Sequence, residues 1–122
     1  MKNLTSLETA KIAAKALDGK KGHDIRLIKI DAVSTLADYM VIAAGTNSTQ
    51  IKAMAEEVEY KLDEAGISVS HIEGHRNDSW ILLDYVDVIV HVFSEEAREF
   101  YDLERLWQDG TDVDISDILK QD

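Results

Sequence analysis

The 122-residue sequence contains no cysteine and no proline. The first absence excludes disulfides, thiol redox chemistry and zinc–thiolate sites together. The second removes slow X-Pro isomerisation from folding. No apolar run approaches the roughly twenty residues that a membrane span needs. The N-terminus MKNLTSLETAKIAAKAL is amphipathic with acidic residues inside its pattern, unlike a signal peptide, so a cytoplasmic protein is expected. Basic residues are also scarce: 13 Lys and Arg face 24 Asp and Glu, for a formal net charge of −11. Such a chain repels nucleic-acid phosphates at long range, so primary nucleic-acid binding is not expected, and a basic protein partner is favoured.

What is present belongs to a folded protein. The content is 45% hydrophobic and 30% charged, on a chain long enough for one domain with a core. Thr5 to Leu17 reads as a helix, with capping-box spacing from Thr5 to Glu8, an apolar stripe through Ala10, Ala13, Ala14 and Leu17, and Gly19 as its stop. A strand from Ile25 to Ile30 follows, interrupted by Arg26 and Lys29. Tyr39 to Ala44 is apolar without alternation, which suits a central strand covered on both faces. Asn47 and Gln50 then open the longest helix, which Gly66 ends, and Ile67 to Ile72 reads as a further strand completing a βαβ unit. The expectation is a single α/β (α+β) domain with a mixed sheet of about five strands flanked by helices, spanning residues 1–107, with 108–122 as an acidic C-terminal extension.

The organising stretch is Ser79 to Trp107. Trp80–Leu83 and Val88–Phe93 read as a hairpin around Asp84-Tyr85-Val86-Asp87, with Leu83 expected opposite Val88 and Trp80 opposite His91. Trp80, Leu82, Ile89, His91 and Phe93 then share one face; Ile81, Leu83, Val88, Val90 and Val92 share the other. Both faces are apolar, so either helices cover both or part of one awaits a partner. A helix from Glu95 to Trp107, capped by Ser94, is expected to centre its apolar stripe on Phe100, Leu103 and Trp107, with Tyr101 one turn before Glu104 and Leu106 exposed.

Trp80, Tyr101 and Glu104 make a recognition patch, the aromatics supplying area and the carboxylate a seat for a partner's cation. The competing reading is a core edge in which Glu104 bridges to Arg98, Arg105 or Arg76. Asp84 and Asp87 flank a turn and could hold magnesium as in a nucleotidyltransferase-like enzyme, though no third acidic ligand is evident. His71 and His75 around Glu73 have some metal-like spacing without a fourth ligand. The Gly45-Thr46-Asn47-Ser48 turn is an anion seat or an ordinary capped turn. No nucleophile constellation is present, and no cofactor is implied.

The ordered pieces Asp38-Tyr39, Val41-Ile42, Gly45, Ser48, Gln50, Glu73-Gly74, Trp80-Ile81, Asp84, Asp87-Val88, Val90-His91, Arg98, Tyr101, Leu103-Glu104 and Leu106-Trp107 resemble the ribosomal silencing factor (Iojap-like) family over roughly Leu4 to Trp107. The family commonly has glycine where this chain has Val86. The resemblance implies a nucleotidyltransferase-like fold without catalysis. It also implies a translational repressor that binds ribosomal protein uL-fourteen on the large subunit and blocks joining of the small subunit when nutrients are scarce. Trp80, Tyr101 and Glu104 carry over as partner contacts; Asp84, Asp87, His91 and Arg98 match the motif. A plain homodimer through the hairpin face is the remaining alternative.

Overall fold

The computed structural model describes residues 4–74 and 79–119. Helix α1 (Ser6–Gly19) begins at Thr5, where both halves of the capping box form. Gly19 lies inside it, and the left-handed residue at its exit is Lys21, at φ 63°. Strand β1 (His23–Lys29) is followed by β2 (Tyr39–Gly45), in which every residue is buried, as the lack of alternation required. Helix α2 (Ser48–Glu64) is capped by Asn47 and leaves through Gly66 at φ 87°. Gln50 does not close a second capping box. Its Oε1 accepts from the Thr46 amide at 2.6 Å, and its Nε2 donates to the carbonyls of Lys20 and Lys21.

The chain then runs through β3 (His71–Glu73), β4 (Trp80–Asp84), β5 (Val88–Ser94), α3 (Glu95–Tyr101), α4 (Leu103–Leu106) and β6 (Thr111–Asp112). Spatial order in the mixed sheet is β3-β4-β5-β2-β1-β6, with β2 and β5 parallel and the other pairs antiparallel. The strand expected over 67–72 is shorter and later, and a sixth strand comes from the acidic segment after Trp107, which pairs with β1.

Two helices seal one face of this sheet. Ala13, Ala14 and Leu17 of α1 and Met54, Val58 and Leu62 of α2 meet Val41, Ile81, Leu83, Val90 and Val92 in the larger core. The opposite face holds a smaller core of Ile28, Ile30, Met40, Ile42, Phe93 and Ala97, against which Trp80, Ile89, Leu103 and Trp107 are only partly buried. Coverage is therefore unequal, and the second face is left partly open.

Two further expectations are corrected. The hairpin register is shifted by two residues: Leu83 lies opposite Val90, Leu82 opposite His91 and Trp80 opposite Phe93. The cause is the turn. Tyr85 N–H donates to the Val88 carbonyl at 2.9 Å, Asp84 Oδ1 accepts from the Val86 amide, and Val86 itself takes φ 73°, so Asp84 stays in the ladder. A slip of two preserves which side chains share a face, because strand side chains repeat with period two. The final helix is also not continuous. Asp102 adopts the left-handed conformation (φ 48°, ψ 50°) and splits it. Phe100, within α3, points outward and is 81% exposed instead of lying at the centre of an apolar stripe, and the break removes the one-turn relation between Tyr101 and Glu104.

Candidate functional site

The open part of the second face is built around Trp80. Its ring lies 4.7 Å from Tyr101, 5.1 Å from Phe93 and 5.8 Å from His91, centroid to centroid. Such tilted contacts suit aromatic quadrupoles. Trp80 Nε1–H donates to His91 Nδ1 at 3.1 Å, a diagonal cross-strand contact. That bond makes Nδ1 an acceptor, so the neutral ring carries its proton on Nε2. Burial pushes the His91 imidazole down to about 4, which keeps it neutral at physiological pH.

Beside this cluster runs an apolar groove of about 250 Å³, walled by Trp80, Leu82, Ile89, His91, Leu106 and Trp107. Of its lining residues Leu36 is 67% and Leu106 69% exposed, and Tyr101, against the Trp80 ring, is 47% exposed. Large apolar side chains left this open in one place are characteristic of contact surfaces. Trp80 and Tyr101 thus come together at one accessible site, with Trp80 half-buried and Tyr101 exposed.

Glu104 is placed differently from the aromatics. Its Oε1 accepts from Arg98 Nε at 2.9 Å, and its Oε2 accepts from Arg98 Nη2 at 3.2 Å and Arg26 Nη1 at 2.5 Å. Arg26 Nη2 reaches Asp112 Oδ1 at 2.6 Å. The Arg98 hydrogen bonds, then those of Arg26, hold the Glu104 carboxyl below the usual carboxylate range, against the opposing pull of burial. Hydrogen bonds to Glu104 and Asp112 in turn raise the Arg26 guanidinium. The bridge to Arg98 is one of the pairings anticipated; Arg26 was visible in the sequence only as an interruption of a strand. Neither it nor Asp112 carries a local signal, since the partners lie 78 and 86 residues apart.

Of the two turn aspartates, Asp84 serves the backbone with its carboxylate, and Asp87 does so through its main-chain carbonyl. Asp84 Oδ1 accepts the Val86 amide at 2.8 Å, and the Asp87 carbonyl accepts from Asp38 and Tyr39. Among the described residues no group of three or more His, Asp or Glu is arranged to hold a metal. His71 bonds Glu73 at 3.1 Å, while His75 and Arg76 lie outside the described residues. In the 45–48 turn, the Thr46 amide and hydroxyl are both taken by Gln50, and the Gln50 amide by Asn47, as in a capped turn.

Residues 3–122 match the family model described as "Ribosomal silencing factor during starvation". The match therefore runs through the segment after Trp107. The chain is 41% identical over 111 residues to the ribosomal silencing factor RsfS of Bacillus subtilis, covering 91% of this chain and 94% of that one. It is 32% identical over 91 residues to mouse "Mitochondrial assembly of ribosomal large subunit protein 1", covering 72% of this chain and 40% of that one. A crystal structure of a Chromobacterium violaceum protein superposes with a TM-score of 0.84 at 38% identity, over 86% of this chain and 88% of that one.

Proposed function

The chain belongs to the ribosomal silencing factor family, and from that premise we propose that it represses translation by binding the large ribosomal subunit through ribosomal protein uL-fourteen and occupying the space the small subunit needs. The observation that carries this reading is the open groove beside Trp80 and Tyr101 on the thinly covered sheet face. A groove lined by aromatic and aliphatic side chains supplies holding energy through burial. The net charge of −11 speeds encounter with a basic ribosomal protein, and salt slows it. Nothing chemical is required of the site, only volume in the right place. No described helix is long and apolar enough to cross a membrane.

Quantitative co-sedimentation with purified large subunits tests the proposal. The wild type should pellet with them and inhibit joining of small subunits. Tyr101→Ala, which removes an exposed ring, should keep its fold and lose about tenfold or more in affinity. Undiminished binding by Tyr101→Ala and Leu106→Glu alike would refute the groove as the contact surface. The exposed Leu36 and Leu106 also suit pairing with a second copy, which light scattering over a concentration series reads directly.

A further inference from the structure

Helix α4 has four residues, too few to hold itself together in water. It follows a left-handed residue at Asp102, so nothing in the backbone continues α3 into it. Yet Leu103, Leu106 and Trp107 form one wall of the groove. The half-buried Leu103 and Trp107 anchor this short turn against the sheet, and Glu104 anchors its polar side.

That anchoring comes from two other elements. Arg98, its side chain 11% exposed, grips Glu104 with Nε and Nη2 from α3. Arg26 reaches across from β1 and forks, one nitrogen to Glu104 and the other to Asp112 on β6. Two guanidinium groups thus converge on a carboxylate with both oxygens occupied. A partner's cation arriving there would meet a charge already neutralised.

We propose that Arg26 is a positioning residue for ribosome binding: acting through Glu104, it fixes α4 so that Leu106 and Trp107 stand as the groove wall, and Glu104 serves inside the molecule instead of receiving a cation from the partner. This rests on the large-subunit reading above. The Arg26 side chain is 37% exposed, so its ion pairs are solvent-screened and contribute more to the placement of α4 than to global stability.

The test compares wild type, Arg26→Gln, Glu104→Gln and the double variant for affinity to large subunits. Each single variant is expected to bind five- to tenfold more weakly, Glu104→Gln the more so because it also loses Arg98, and the double no more weakly than Glu104→Gln, because both changes cut the shared Arg26–Glu104 connection. Arg26→Lys, which keeps the charge but cannot fork to both carboxylates, should recover part of the loss. In a Trp80→Phe background, acrylamide quenching of Trp107 should rise in Arg26→Gln while the urea midpoint moves little. A change in overall stability alone would not give that pattern. Wild-type affinity in Arg26→Gln together with weak binding by Glu104→Gln would overturn the proposal, as would additive losses in the double variant. If wild-type protein fails to bind large subunits, the functional proposal falls instead, and Trp107 accessibility then decides alone: no rise in Arg26→Gln refutes the clamp.

Discussion

Comparing wild type with His91→Gln between pH 7 and pH 5 isolates the contribution of the buried His91. His91 is 6% exposed, its Nδ1 accepts from Trp80, and burial holds it near 4 against the 6.5 of an ordinary imidazole. In the unfolded chain the ring takes up a proton as pH falls through 6.5; in the folded protein it does not until about 4. Unfolding therefore gains bound protons across this window, and stability is full above 6.5 and lost as pH falls toward 4. With 1.36 kcal/mol per pH unit, the linkage comes to about 2 kcal/mol between pH 7 and pH 5. The carboxylates are the same in wild type and in His91→Gln, so comparing the two cancels their contribution. Urea unfolding at the two pH values should show the loss in wild type and a much flatter dependence in His91→Gln, whose amide oxygen can still accept from Trp80. Nitrogen-detected NMR should find Nδ1 unprotonated and Nε2 protonated at pH 7. Equal pH dependence in both proteins, or a His91 titration above pH 6, would refute the reasoning.

Two further perturbations probe the hairpin. Val86 is 63% exposed at φ 73°, a conformation that costs a β-branched residue about 2 kcal/mol, while glycine adds about 0.7 kcal/mol of unfolded-chain entropy and forfeits a few tenths in burial. Val86→Gly should therefore stabilise by about 1 kcal/mol in urea titration and Val86→Ala by clearly less; a lower midpoint for the glycine variant contradicts the strain. Among the described residues, the Tyr85 hydroxyl is buried without a hydrogen-bond partner, and burial raises it above the ordinary tyrosine range. Tyr85→Phe removes that desolvation cost and should stabilise by about 1 kcal/mol, raising Tm by about 3–5 °C in calorimetry, and a fall in Tm would count against it.

What could be read beforehand was local. Thr5 with Glu8 forms its capping box because the chemistry needs only four consecutive residues, and the unalternating run in β2 is buried on both faces. The period of two sorted the hairpin side chains onto the right faces even with the pairing slipped, since a shift of two residues leaves faces unchanged. The register itself depends on one backbone angle at Val86, a residue type that gives no hint of positive φ. Asp102 hides the break between α3 and α4 in the same way, because aspartate tolerates the left-handed region without the signature of glycine or proline. The aromatic half of the site was visible as composition on a short stretch. The arginines meeting Glu104 could be matched only through the fold, which brings β1 beside a helix late in the chain.

The two outermost strands of the sheet are also its shortest, three residues in β3 and two in β6. A long unpaired row of backbone amides and carbonyls invites foreign strands to add on and so propagates aggregates. The seven residues of β1 would offer such a row; Thr111 and Asp112 lie against Lys29 and Ile28, and the Val113 amide is bonded to Leu27. The molecule can thus leave an apolar cleft bare in a crowded solution, because the backbone route to indiscriminate adhesion is narrowed at both margins of the sheet.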